Sequence, residues 1–447
     1  MQKYLFKNIS VINEGEIKSM DVLVEGERIV RLDNSISVKS FVNEINGEGK
    51  HLFPGVIDDQ VHFREPGLTH KGSIETESIA GVAGGVTSFM EMPNTIPNAL
   101  SLDLLEDKYK IASQTSPANY SFFMGVSNDN AEEVLKVNKR KNDICGVKIF
   151  MGASTGNMLV DNYNTLEKIF SESEMLIATH CEDETIIRNN YQKIKSIKPD
   201  LSPSDHPLIR DENACYESSL RAVKMAQKYN TRLHILHIST EKELILFGNM
   251  MPLKEKRITA EVCVHHLHFT SDDFNQLGYK IKCNPAIKAP QNKAALWKAL
   301  LDNRLDIIAT DHAPHLLSEK EPPYESAHAG LPLIQHSLQM MLHYSKKGMI
   351  PLERVAEKMS HAVADCFQIK ERGYIREGYY ADLVMVDLNK PYTVSQENIL
   401  YKCGWSPLNN FTFPSTILNT WVNGHCVYGE GKKISDQKGK RLNFNRN

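Results

Sequence analysis

The chain has 447 residues, with 52 lysines and arginines against 55 aspartates and glutamates, so its formal net charge is −3 with the 17 histidines neutral. That balance excludes a protein gripping nucleic acid through bulk positive charge, and 41% hydrophobic with 24% charged residues excludes a disordered or collagen-like chain. No run approaches ~18 consecutive apolar residues, and the opening Met1-Gln2-Lys3-Tyr4-Leu5-Phe6-Lys7 lacks the apolar core of a signal peptide, so a cytoplasmic protein without membrane contact is expected. The 8 cysteines form no CxxC pair, and Cys145, Cys181, Cys263 and Cys283 sit in apolar runs, which predicts buried reduced thiols and no disulfide framework.

Residues 1–50 alternate in short β-like runs separated by Gly and charged turns, and read as half of a small β-domain. From residue 51 the texture changes. Apolar β runs at 56–63, 86–92, 120–126, 146–151, 176–180, 232–238, 258–264 and 306–310 are each followed by a helix-length segment. Eight such units predict an α/β fold, a (β/α)8 TIM barrel, with a doubly wound sheet as the alternative. After residue 370 the β texture returns, in Ala381-Asp382-Leu383-Val384-Met385-Val386-Asp387 and Thr420-Trp421-Val422-Asn423-Gly424. Neither end is long enough to make a core alone, so the two are expected to share one small β-sandwich. The expected division is 1–52 for its first part, 53–368 for the barrel and 369–447 for its second part. The stretch Ser318-Glu319-Lys320-Glu321-Pro322-Pro323-Tyr324-Glu325-Ser326 reads as a surface loop able to act as a lid.

Strand C-termini of such a barrel surround one mouth, so polar residues ending different strands converge however distant they are in sequence. Strand 1 ends in Asp58-Asp59-Gln60-Val61-His62-Phe63-Arg64-Glu65-Pro66-Gly67, strand 2 in Glu91-Met92-Pro93-Asn94-Thr95, and strand 4 carries Lys148 within an apolar run. Strand 5 ends at His180-Cys181-Glu182-Asp183, strand 6 at His237, and strand 8 at Asp311-His312-Ala313-Pro314-His315. Imidazole and carboxylate donors suit Zn²⁺, and His62, His180, His237 and Asp311 supply that set with a position left for water. A satisfied core or surface role is the ordinary fate of a single histidine; four candidate ligands ending different strands favour metal.

Pro54-Gly55-Val56-Ile57-Asp58, His62-Phe63-Arg64-Glu65-Pro66-Gly67, Met92-Pro93-Asn94-Thr95, His180-Cys181-Glu182-Asp183, His237-Ile238-Ser239 and Ala309-Thr310-Asp311-His312-Ala313-Pro314-His315 together resemble the dihydroorotases of the amidohydrolase superfamily, over nearly the whole chain. The Arg-Glu-Pro-Gly and Met-Pro-Asn-Thr segments are the more specific part. The resemblance implies a binuclear zinc hydrolase that closes carbamoyl aspartate reversibly to dihydroorotate in pyrimidine synthesis, and a homodimer. A metal polarises the amide carbonyl and lowers the pKa of bound water to about 7, while Asp311 as general base and acid accepts the proton and returns it.

A bare ammonium at Lys148 would be repelled by metals and costly to bury. Gly146-Val147-Lys148-Ile149-Phe150-Met151 resembles family sites whose lysine is carboxylated by CO₂ and bridges both metals. Some relatives use an aspartate bridge, which makes Asp161 the fallback, and a lysine reaching out of the barrel end is the structural alternative. Arg64 and Asn94 match the family positions that hold the substrate's carboxylate, and a guanidinium fork suits that group; an Arg64 paired with Glu65 is the bland alternative. Asn284, in Lys282-Cys283-Asn284-Pro285-Ala286-Ile287-Lys288, and His315 match further substrate contacts, with Ala329 and Gly330 beside them. The cluster His265-His266-Leu267-His268 is not assigned to metal, because neighbours in a strand point to opposite faces. The Gly152-Ala153-Ser154-Thr155-Gly156 loop lacks the Lys-Ser/Thr of a phosphate-binding loop.

One departure matters. Cyclic amidohydrolases open the site with His-x-His, whereas this chain has Gln60-Val61-His62. A glutamine carbonyl is a neutral and poorer zinc ligand than imidazole, which leaves three outcomes: two Zn²⁺ with Gln60 coordinating or replaced by water, one Zn²⁺, or an inactive scaffold. Retention of Asp311, Lys148, Arg64 and Asn94 together favours an active enzyme. The competing enzymes are allantoinase and dihydropyrimidinase (hydantoinase), against which Arg64 and Asn94 speak. The competing non-enzyme is a dihydroorotase-like partner of aspartate transcarbamoylase.

Overall fold

The computed structural model describes residues 2–152 and 158–446; of the loop at 152–156, only Gly152 lies within the described residues. Five strands precede the barrel: β1 (Lys3–Asn13), β2 (Glu16–Glu25), β3 (Arg28–Asp33), β4 (Asn43–Asn46) and β5 (His51–Pro54). The barrel strands are β6 (Val56–Val61), β7 (Val86–Glu91), β8 (Asn119–Gly125), β9 (Gly146–Phe150), β10 (Ile177–His180), β11 (Leu233–Ile235), β12 (Ile258–Cys263) and β13 (Ile307–Ala309). They lie in sequence order in one sheet, all parallel. A parallel bridge between Val61 and His312 closes the ring, with the amide of His62 donating to the carbonyl of His312 at 2.7 Å.

Every residue of β6, β7, β8 and β9 is buried. Parallel strands covered on both faces read as continuous apolar runs, which is why the eight segments stand out in the sequence. Packing between barrel and helices includes Phe63, Phe89 and Phe122, each with no exposed surface, and each such side chain contributes about 1.5–3 kcal/mol by leaving water.

The (β/α)8 barrel is thus present, flanked by a separate sheet that draws on both chain ends. After the barrel come β14 (Leu383–Asp387), β15 (Tyr392–Thr393), β16 (Thr412–Phe413), β17 (Thr416–Val422), β18 (His425–Gly429) and β19 (Lys432–Lys433). The flanking sheet runs β19-β18-β17-β14-β5-β1-β2-β3, with β4 also on β1. The joint is β5, parallel to β1 and antiparallel to β14. Trp421 and Phe6 meet edge to face across it, with ring centroids 4.9 Å apart.

The C-terminal segment also returns to the barrel. Leu442 donates its amide to the carbonyl of Tyr120 at 2.9 Å, and the buried guanidinium of Arg446 donates to the carbonyls of Lys141, Ile144, Cys145 and Phe367. All eight cysteines are free, and six are buried. No helix among the described residues is long and apolar enough to cross a membrane.

Candidate active site

Gln60, His62, Arg64, Asn94, Lys148, His180, His237, Asn284, Asp311 and His315 line one cavity of about 210 Å³, together with Phe150, Ala313, His328, Ala329 and Gly330. The cavity lies at the C-terminal ends of the barrel strands. Three of the lining residues bend the chain sharply as it leaves a strand: φ is 71° at Arg64, 42° at His237 and 48° at Asp311. A non-glycine residue in this region costs about 1–3 kcal/mol and persists only where its surroundings fix it. The fixing contacts are present. Nε of Arg64 donates to the carbonyl of Pro314 at 3.1 Å, and the amide of His237 donates to Oε1 of Glu261 at 3.0 Å. This bend is why β11 stops at Ile235, short of the expected end at 238. Gly67 has φ 86°, and a Cβ there would stand 2.1 Å from the carbonyl oxygen of Ile96, so the turn of the Arg-Glu-Pro-Gly segment admits glycine only.

On one side of the cavity, Nδ1 of His62 is 2.7 Å from Oδ1 of Asn94, and its Nε2 is 3.1 Å from Oδ1 of Asp311. Burial pushes the imidazole pKa of His62 down, which keeps the ring neutral. With Nδ1–H donated to Asn94, a neutral His62 presents its Nε2 lone pair to a carboxylate. Two electron-pair donors held that close call for a cation between them.

The opposite side repeats the pattern. Nε2–H of His180 donates to Oε2 of Glu182 at 2.9 Å, and Arg210 pairs with the same oxygen at 2.5 Å. Burial alone would raise the Glu182 carboxyl; the Arg210 charge and His180 bring it to about 2. The lone pair of His180 Nδ1 therefore faces Nε2 of His237 at 3.0 Å, close to the ~3.3 Å edge that bonds of ~2.0–2.1 Å give a tetrahedral zinc site. Nδ1 of His237 is buried without a hydrogen-bond partner among the described residues. Between the two sides, Lys148 is 1% exposed, sits 4.5 Å over the Phe150 ring and makes no hydrogen bond or ion pair among the described residues. Burial lowers its amine to about 7. This donor set fits a divalent metal.

Several alternatives are corrected by placement. Asp161 is exposed and accepts from Nδ2 of Asn128 at 2.9 Å, outside the cavity, so it is not placed to bridge. Glu65 accepts the amide of Ile74 at 2.8 Å and makes no ion pair with Arg64. His265, His266 and His268 lie in a helical turn, Val264–His268, not a strand, so they do not alternate between faces. Cys263, His265 and His266 bring donor atoms within 4.8 Å of one another, and none of the three lines the cavity.

Sequence reasoning missed the supporting residues. Below the mouth, His234 stands between Asp59 and Glu261 at 3.3 Å each, all three fully buried, and Glu261 carries the His237 amide. Glu182, which orients His180, was legible in principle, since a carboxylate two residues after a strand-end histidine is within reach of its ring. At the rim, Lys282 donates to the carbonyls of Tyr324 and Ala327, and Lys320 to those of Lys282, His328 and Gly330. The stretch expected to be a surface loop able to act as a lid is thus held by two buried lysines, Lys320 within it and Lys282 beside it. A second cleft, about 350 Å³ between Arg232, Arg257 and Asp365, contains none of the candidates.

A barrel whose mouth gathers histidines, an aspartate and a lone buried lysine is the architecture of a metal-assisted hydrolase. Residues 51–427 match the amidohydrolase family, and the chain belongs to it. The dihydroorotase of Methanosarcina acetivorans is 31% identical, with 97% of each chain covered. The allantoinase of Desulfitobacterium hafniense is 28% identical over 98% of each. Among solved structures, L-hydantoinase (dihydropyrimidinase) from Arthrobacter aurescens superposes with a TM-score of 0.92 at 26% identity, covering 99% of this chain and 100% of that one.

Proposed function

We propose that the protein is a dihydroorotase, a Zn²⁺-dependent enzyme that interconverts carbamoyl aspartate and dihydroorotate in pyrimidine synthesis. The observation that carries this reading is Arg64. Its side chain is buried, lines the cavity beside Asp311, and has no carboxylate partner among the described residues, so the cavity contains a guanidinium fork that an anionic substrate would satisfy. A cyclic amide bearing a carboxylate near its reacting carbonyl meets that demand, and a neutral ring does not.

His62 and Asp311 would hold metal on one side of the site and His180 and His237 on the other, with Lys148, once carboxylated, adding charged oxygen donors; Gln60, standing where a further ligand is expected, donates to Asp311 instead. An uncharged amine is the form that attacks CO₂, and burial of Lys148 favours it. The bound metal supplies polarisation of the amide carbonyl and acidification of water. Asp311 accepts the proton from the attacking water and delivers it to the leaving amide nitrogen, a role consistent with a carboxyl held in its ionised form. Arg64, Asn94 and Asn284 bind and orient the substrate, and His315 stands next to Arg64.

The test is dihydroorotate hydrolysis followed by ultraviolet absorbance, with allantoin and hydantoin as competing substrates and metal content measured in parallel. Turnover of dihydroorotate with bound zinc supports the proposal. Preference for hydantoin or allantoin overturns it in favour of the relatives' other activities. No metal and no turnover would leave a scaffold of the kind that partners aspartate transcarbamoylase.

A further inference from the structure

A neutral imidazole carries one N–H and one lone pair, whereas ammonium and guanidinium groups can only donate. Around His315 donors outnumber what the ring can accept. Nζ of Lys71 is 3.1 Å from Nδ1, Nη2 of Arg64 is 3.0 Å from Nε2, and the carbonyl oxygen of Ala329 is 3.1 Å from that same Nε2. Burial first, then the positive charges of Arg64, Lys320 and Lys71 against the opposing pull of Glu319, lowers the ring's pKa well below its ordinary value and keeps it neutral. Lys71 is 5% exposed and fixed by an ion pair to Glu319 at 2.8 Å; the other Glu319 oxygen is 3.7 Å from Nδ1, beyond hydrogen-bond reach.

Two tautomers remain. With the proton on Nδ1, the bare Nε2 accepts from Nη2 of Arg64, but an N–H points at the Lys71 ammonium and a lone pair at the Ala329 carbonyl, one match against two mismatches. With the proton on Nε2, Lys71 donates into Nδ1 and Nε2–H donates to Ala329, and the single group without an acceptor is Nη2 of Arg64. We propose that Lys71 is a positioning residue that fixes the Nε2–H tautomer of His315 and thereby leaves the Nη2 edge of Arg64 unpaired for a substrate carboxylate. This rests on the dihydroorotase reading for the identity of the carboxylate, and on the donor inventory alone for the tautomer.

Nitrogen NMR of the full, metal-loaded chain with ¹⁵N-labelled histidine distinguishes a protonated from a bare ring nitrogen, and His315→Gln assigns the resonances. The expected result is a bare Nδ1 in the native chain and a protonated Nδ1 in Lys71→Met. That variant should also raise KM for dihydroorotate about tenfold with kcat within about twofold, the signature of lost ground-state binding; Lys71→Arg, which restores a donor, should recover both. A proton on Nδ1 in the native chain, an unchanged tautomer in Lys71→Met, or a fall in kcat without a change in KM overturns the proposal. Should Lys71→Met fail to fold, Lys71→Leu, which also lacks a donor, carries the same comparison. A chain that turns over neither dihydroorotate nor carbamoyl aspartate removes the functional reading, while the tautomer, measured without substrate, still decides this one.

Discussion

Nε2 of Gln60 donates to Oδ1 of Asp311 at 3.1 Å, and the carbonyl oxygen of the same amide is turned to the thiol of Cys263, 3.7 Å away. The residue standing where the family has its first histidine thus engages Asp311 as a hydrogen-bond donor, and its one metal-capable atom faces elsewhere.

Gln60→His is accordingly expected to tighten metal binding on the His62 side. Competitive chelation followed by elemental analysis should show the more weakly held metal retained at about tenfold higher chelator in the variant, the scale on which single changes at or next to a ligand act. Equal retention in both proteins would show that Gln60 already coordinates.

Removing the proton acceptor should stop chemistry and spare the fold. For Asp311→Asn the expected loss of kcat is about 10²–10⁴-fold, the usual worth of a positioned general base, with metal content measured alongside to separate this from ligand loss. Native-like turnover would move the acid and base role to another group.

Glu182→Gln tests the orientation of His180. An amide can present a donor to Nε2, which favours the other tautomer and directs a proton at the metal position. Metal affinity should fall by about 10–100-fold at unchanged Lys148 and Asp311, read by titration of the apoprotein with zinc.

The pinning of the 316–330 segment predicts a local effect. Lys320 is buried, and its Nζ donates to three carbonyls; Lys320→Met leaves them without that donor, at a cost of about 1.5–3 kcal/mol for hydrogen bonds from a charged group. Limited proteolysis should cut this segment faster in the variant, while the flanking sheet keeps its resistance.

A fifth prediction concerns acid. Burial alone would raise the Asp21 carboxyl, but the ion pair with Lys7 at 2.7 Å and the amides of Ile36 and Asn8 lower it below its ordinary value. A carboxyl lowered on folding adds stability above its unfolded value of about 3.9, and that stability is lost as pH falls through the folded value. Urea unfolding of Asp21→Asn should show a deficit of about 2 kcal/mol at neutral pH that closes as the pH drops below about 4. A deficit independent of pH would assign the loss to packing.

The barrel was legible because parallel strands buried on both faces leave unbroken apolar runs, and each of the eight appears within three residues of its expected end. The cavity-lining residues were legible because a barrel makes strand ends meet. The left-handed backbone at Arg64, His237 and Asp311 was not, since no local residue preference marks it. Lys71, Glu261 and Lys320 were also silent: a lysine that pins carbonyls or sets a tautomer is indistinguishable in one dimension from a solvated one. Asp161 misled because it follows strand 4 in sequence, whereas in space it sits on an exposed turn beside Asn128.

The seam where β5 lies between β1 and β14 has a consequence for how the chain is made. Strands completed by residue 54 pair with a partner that begins only at residue 383. On the ribosome, then, the first strands emerge with one edge uncovered and wait for the entire barrel to follow before that edge is closed. Open edges held for such an interval are prone to pair with a neighbouring nascent chain, so the yield of this protein should depend on translation speed and chaperone supply more steeply than its finished stability would suggest.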